Sequence, residues 1–278
     1  NLLNIPKPKT PDGRMCRNVF VAPILPGQPE RVLVELDYSQ IELRVAAMLS
    51  QDPIMIDFFK SGIDFHLATA LMIAPLLGYD PTTVDADHEL RGFAKTVNFG
   101  TLYGEPAGGL AAKLGITRAA AEQLQETILG KFKVLRAWLK QRLDFTRKHG
   151  YTATWWDGIF PFRERPLPDI ADANEELRLT AERSSWNTTI QGTAADFMNA
   201  SLGAINLAIA KGDLPRRTKL ILTVYDSVIL EADTRDLDTV VSGTRNIMQG
   251  WNSMGTPIVA DCKVGRSWGD LKEYHAAA

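Results

Sequence analysis

The sequence predicts an α+β fold: a small sheet made from segments far apart along the chain, with a large helical insertion between them. Two patterns lead to that class. Strand-like runs sit near the start (residues 31–37) and again after residue 218, whereas residues 54–148 are almost wholly of helical spacing. At 45% hydrophobic and 23% charged over 278 residues, the composition is that of a globular chain able to bury a full core, which excludes disorder as its main state.

The first thirty residues are rich in Pro and Gly, with scattered Lys7, Lys9, Arg14 and Arg17, and predict an irregular surface arm. Residues 31–37 (RVLVELD) alternate and are β-branched, so they predict a strand. It runs into a helix over residues 40–49, where Ile41, Val45 and Met48 share a face. The helical block that follows breaks at Gly62, at residues 78–81, at residues 104–106 and at Gly115. Residues 151–156 (YTATWW) predict a short strand beside a Gly/Pro-rich loop, and residues 171–210 a helix interrupted near Gln191-Gly192. Residues 218–224 and 228–232 are strand-like and separated only by Tyr225-Asp226-Ser227, which predicts a tight hairpin. A helix over residues 235–254, a strand over 257–264 and a turn at 267–269 complete the chain, with residues 276–278 as a tail.

Net charge is −2, which decides nothing about partners, because a local basic groove is averaged out of a total. The longest apolar run, residues 67–77, is interrupted by Pro75 and is far short of the roughly 20 residues of a membrane span. No signal peptide is visible, and Cys16 and Cys262 permit at most one bridge. A reducing, cytoplasmic setting without a membrane partner is expected.

Asp37 falls at the end of the first strand, and Asp226 falls in the hairpin turn. A lone aspartate in a turn is usually a turn former. Two at strand ends can converge if their strands share a sheet, and two carboxylates plus substrate phosphates are what Mg²⁺ prefers. A second pattern is Arg91, Lys95, Phe99 and Tyr103, which step by four and form one slowly turning helical stripe. Two cations followed by two aromatics are poor core material. They suit a nucleotide lying along the helix, with Arg91 and Lys95 on phosphates, Phe99 against a base and Tyr103 near the next.

With both patterns in hand, the chain resembles the DNA polymerase I family (family A). Residues 37–44 (DYSQIELR) resemble its motif A, residues 91–104 its motif B and residues 224–227 (VYDS) its motif C. Flanking signatures agree: residues 1–6 (NLLNIP), Asp64-Phe-His66, Glu182-Arg183 with Asn187, and residues 191–196 (QGTAAD). The resemblance covers essentially the whole chain in the family's order.

It implies a right-hand polymerase fold lacking the thumb. Residues 1–53 and 151–278 would form the palm and residues 54–150 the helical fingers. By the family's pattern, Asp37 and Asp226 with the Tyr38 carbonyl hold two Mg²⁺ ions, Mn²⁺ being a substitute. The primer 3′-hydroxyl then attacks the α-phosphate of a dNTP. Arg91, Lys95 and His66 would bind the triphosphate, with Lys95 giving a proton to pyrophosphate. Gln40 belongs to the same substrate set, and Glu42 would exclude a ribose 2′-hydroxyl. Arg183, Asn187 and Gln191 would face the primer-template DNA. Implied partners are that DNA, dNTPs, and an N-terminal thumb and exonuclease portion or separate chain. The setting would be a bacterial cell or phage-infected host, an organelle being the alternative.

Some residues depart from the family. Motif C usually reads His-Asp-Glu where this chain has Tyr225-Asp226-Ser227, and a small residue is usual where Glu35 stands. Gly92 replaces a common Arg, and the arm after Pro6 carries one extra residue. Two other readings compete: a non-catalytic DNA-binding or assembly subunit, which needs no paired metal carboxylates, and an RNA polymerase, which Glu42 and Phe99 disfavour.

Overall fold

The structure is a computed structural model and describes residues 5–6, 10–155 and 162–275. Most of the NLLNIP signature, Trp156 and residues 276–278 lie outside the described residues.

In chain order, helix α1 spans Pro11–Arg17, strand β1 Arg31–Tyr38, and helices α2 Ile41–Ser50, α3 Pro53–Lys60, α4 Phe65–Ile73 and α5 Glu89–Leu102. Helices α6 (Ala107–Leu114), α7 (Arg118–Lys131) and α8 (Lys133–His149) follow, then the hairpin of β2 (Tyr151–Ala153) and β3 (Glu164–Pro166). The long helix α9 runs over Glu175–Lys211. Strands β4 (Lys219–Val224) and β5 (Ser227–Asp233), helix α10 (Leu237–Gln249), and strands β6 (Ala260–Gly265) and β7 (Lys272–Glu273) close the chain.

Three expectations are corrected. The arm contains a helix: the Thr10 hydroxyl accepts from the Gly13 N–H at 3.1 Å and Pro11 opens the first turn, so capping chemistry overrides the Pro/Gly composition. Helix α9 is continuous through Gln191-Gly192. Its glycine serves close approach, because a Cβ there would lie 2.5 Å from Thr154 Cγ2 on the segment leaving β2. Helix α10 stops at Gln249, with Gly250 as its C-cap, and the predicted end at Met254 is excluded because that residue takes a left-handed φ of 50°. Cys16 is exposed, Cys262 is buried, and both are free thiols.

The chain divides into two compact units. The first comprises Asn1–Ile41, Ala194–Asn252 and Ile258–Ala278. Its antiparallel five-stranded sheet has the order β4-β5-β1-β6-β7, so the predicted strands from both ends of the sequence do share one sheet. Being central, β1 is buried along nearly its whole length, and the alternation of its sequence does not become a solvent face. The Tyr38 hydroxyl, pushed up to about 12 by burial, is fixed between Ser201 Oγ (2.7 Å) and the Met248 carbonyl (2.8 Å). Leu33, Ile229, Val224 and Ala22 pack around Trp268. At the far end of β1, buried Arg31 pairs with Glu231 and Asp233, and Arg217 reaches Asp233 at 3.0 Å.

The second unit, Glu42–Thr193 with Ser253–Pro257, is mainly helical. Asp52, 1% exposed, joins two of its helices: Oδ1 accepts from Ile54 and Met55 N–H at the start of α3, and Oδ2 from Val134 and Leu135 N–H at the start of α8. Helix α5 is fastened at its end by α9. There Trp186 Nε1 donates to the Leu102 carbonyl at 2.9 Å, and Asn187 Nδ2 to the Tyr103 carbonyl at 3.2 Å.

Candidate active site

In the first unit, pairing of β1 with β5 sets Asp37 opposite Ser227, and the Tyr38 N–H donates to the Asp226 carbonyl at 3.0 Å. Asp226 thus sits beside Asp37 because the hairpin turn has only two residues, Tyr225 and Asp226. Tyr225 takes a left-handed φ of 57°, a strained setting for a non-glycine residue. The Ser227 hydroxyl turns back to the Val224 carbonyl at 3.0 Å.

The two carboxyls crowd each other. Asp37 is pushed up to about 7, first by partial desolvation, then by the charges of Asp226 and Glu35 and a hydrogen bond with Asp226, against an opposing pull from Lys263. Asp37 is an exposed residue at the sheet's end, so the like-charge crowding is its distinctive feature. Glu35, on the same strand, is fixed by accepting from Trp268 Nε1 at 3.1 Å, with the Arg17 guanidinium 4.1 Å over that indole. Oxygen donors that repel one another until a cation arrives fit Mg²⁺. Among the described residues no three His, Cys, Asp or Glu form a ready-made cage, and Mg²⁺ does not require one.

In the second unit, α5 carries the stripe. His88 Nδ1 caps its start, accepting from Leu90 N–H at 3.1 Å. Arg91 donates twice to Asp64 Oδ2, at 3.1 and 2.5 Å, while Asp64 Oδ1 caps α4 through Leu67 N–H at 2.9 Å. Burial alone would raise the Asp64 carboxyl, but the Arg91 and Leu67 hydrogen bonds hold it below its ordinary range. Lys95 Nζ lies 6.0 Å from the Phe99 ring centroid, and Phe99 stacks on Tyr103 with centroids 5.8 Å apart. His66 is 3% exposed, 5.6 Å from Phe99 between centroids, with Nδ1 3.1 Å from Asn98 Nδ2. Burial, together with Lys95 and Arg91 and against Asp64, lowers its pKa to about 4. It is therefore neutral near pH 7, with its proton on Nε2 when the Asn98 amide donates to Nδ1.

Lys95, Phe99, Tyr103, Arg183 and Lys113 line one cavity of about 550 Å³. The structure thus brings Arg183 to the stripe, whereas Asn187 is engaged behind it with the Tyr103 carbonyl and Gln191 is exposed one turn further along. Glu42 lies in the first turn of α2, and Gln40, with a left-handed φ of 54°, immediately precedes that helix. Sequence reasoning missed Asn98, Asp52 and Trp186. For Trp186 a signal existed in its adjoining Asn187; in the structure Gly104, at φ 66°, would place a Cβ 2.6 Å from the indole.

A sheet with paired carboxylates at one strand end, joined in one chain to a helical unit with a cation–aromatic stripe, is the architecture of a polymerase domain. The solved POL domain of Pol1 from M. smegmatis, in complex with DNA primer-template and dNTP, has a similar fold, with a TM-score of 0.84 and 32% identity over 97% of this chain and 44% of that one. The sequence model of DNA polymerase family A matches residues 1–270, and the chain belongs to that family. DNA polymerase I of Chloroflexus aurantiacus is 38% identical over 98% of this chain and 27% of its own length. The thermostable DNA polymerase I of Thermus filiformis is 36% identical over 98% of this chain and 30% of its own. The chain therefore spans under a third of the length of these relatives. Among the described residues no helix is long and apolar enough to cross a membrane.

Proposed function

We propose that this chain is the catalytic core of a template-directed DNA polymerase, adding dNTPs to a primer 3′-hydroxyl. The observation that carries the reading is the family match over residues 1–270 together with the contact of Asp37 and Asp226, the two carboxylates that nucleotidyl transfer needs. In this reading residues 1–53 and 151–278 act as palm and residues 54–150 as fingers.

Asp37, Asp226 and the Tyr38 carbonyl would hold two divalent ions, Mg²⁺ or Mn²⁺. When bound, such ions stabilise charge on the attacking and leaving oxygens of an in-line displacement. The protein's own groups do the remainder. Lys95 and Arg91 neutralise the triphosphate, and Asp64 orients Arg91 from behind by its two hydrogen bonds. His66 contributes as a neutral Nε2–H donor rather than as a cation, and Asn98 fixes that tautomer. Lys95 holds a proton for the departing pyrophosphate. Phe99 offers a ring face to the incoming base and Tyr103 to the next one, while Gln40 and Glu42 border the sugar and Glu42 rejects a 2′-hydroxyl. Arg183, Asn187 and Gln191 contact the duplex through acceptors that every correct pair presents. Primer-template DNA and dNTPs are the partners, with an N-terminal thumb and exonuclease portion or a second chain completing the grip. A bacterial cytoplasm or phage-infected host is the setting, in line with the bacterial relatives.

Primer extension with dNTPs or NTPs tests this. Mg²⁺-dependent growth of the primer with dNTPs, and at least a hundredfold slower growth with NTPs, is expected. Binding of primed DNA with no extension under any divalent metal would favour the non-catalytic subunit, and equal use of NTPs would favour an RNA polymerase.

A further inference from the structure

Helix α8, the end of α2 and the β2–β3 hairpin enclose a second cavity, of about 510 Å³, that shares no residue with the stripe. Its size is that of a small-ligand site. Among the described residues five aromatic side chains line it, Trp138, Phe145, Tyr151, Trp155 and Phe162, and the guanidinium of Arg142 lies among them. These rings are not closed core: Phe162 is 53% exposed and the other four are half-buried.

Arg142 is the unusual member. Its Cζ lies 4.6 Å from the Phe145 ring centroid, and its Nε is buried with no hydrogen-bond partner. Among the described residues no Asp or Glu lines the cavity. Burial lowers the pKa of Arg142, against an opposing influence from the Tyr151 phenol. A half-buried guanidinium whose Nε has no hydrogen-bond partner is costly, and an incoming anion would offset that cost. The ligand that matches aromatic walls and one fixed cation is a planar ring bearing an anionic group.

We propose that this cavity binds one nucleotide of a single-stranded nucleic acid, its base entering among the rings and its phosphate pairing with Arg142. Every base has a π-face, so such a site holds a strand without reading its sequence. The inference rests on this cavity alone and stands even if Asp37 and Asp226 hold no metal.

The test uses the whole chain and a twelve-nucleotide oligo(dT) carrying 5-iododeoxyuridine. Irradiation should cross-link the strand to the peptide containing Trp138, Tyr151 or Trp155. In fluorescence anisotropy, Trp138→Ala should weaken oligo(dT) about tenfold and leave an abasic strand of the same length unaffected. Arg142→Gln should weaken both strands and reduce the slope of log K against log salt by about 0.7, with Arg142→Lys restoring that slope. Asp37→Asn should change none of these, which separates this proposal from the polymerase reading. Thymidine monophosphate is the competing arm: if it blocks the cross-link at concentrations that leave total binding intact, the site's source is the free nucleotide and the strand proposal is overturned. Absence of the cross-link in wild-type protein that still binds the oligonucleotide would also overturn it. So would binding within twofold of wild type by both Trp138→Ala and Arg142→Gln.

Discussion

At Gly192 a side chain is excluded by position rather than by backbone angle. Its Cβ would meet Thr154 Cγ2 at 2.5 Å, so Gly192→Ala should destabilise by roughly 1–3 kcal/mol through overpacking. Thr154→Ser removes the methyl but keeps the hydroxyl that accepts from Arg163 N–H. The double variant should recover most of the loss, as a thermal or urea melt would show; additive losses would exclude this contact as the cause. His66 gives a second residue-scale expectation. Its pKa falls from 6.5 to about 4 on folding, so the unfolded chain binds its proton more tightly between those values. Stability from this group is fully present above pH 6.5 and lost as pH falls towards 4. Urea titrations of His66→Gln should show that acid loss reduced by roughly 3 kcal/mol at most. An unchanged pH slope would contradict the burial argument.

Among the elements, the strands and helices with strong periodicity were legible in the sequence: β1, the α2–α8 block and the β4–β5 hairpin all formed where alternation or helical spacing predicts them. The elements that were misread depend on contacts across long sequence gaps or on local caps. The glycine at 192 looks like a breaker until β2 lies against it, and α1 needs only Thr10 and Pro11. Helix α8 was legible but its cap was not, since Phe132 provides none of its own and Asp52, 82 residues upstream of Val134, supplies one. Asp52→Ala would leave two helix starts with unmet buried donors and should cost about 2–4 kcal/mol. Asp52→Asn, which retains one acceptor oxygen, should cost less. Hydrogen exchange would find the loss at both Met55 and Leu135; a loss at only one of the two helices would refute the shared cap.

For the molecule as a whole, the candidate site was legible where chemistry repeats a pattern: the Asp37–Asp226 pair and the 91–103 stripe. Its support was not. Nothing in the spacing shows that Asp64 grips Arg91, that Asn98 sets the His66 tautomer, or that Trp268 fixes Glu35, because each partner comes from a different element. The central claim is that Asp37 and Asp226 act together in nucleotide addition while DNA contacts come from elsewhere. Its most direct measurement is the single-turnover rate of dNTP addition to a primed template at saturating Mg²⁺, with DNA affinity measured alongside, for wild type, Asp37→Asn and Asp226→Asn. Each variant should lose at least a thousandfold in rate, about 4 kcal/mol of barrier, while binding DNA within threefold of wild type. A rate above one tenth of wild type in either variant would contradict the account.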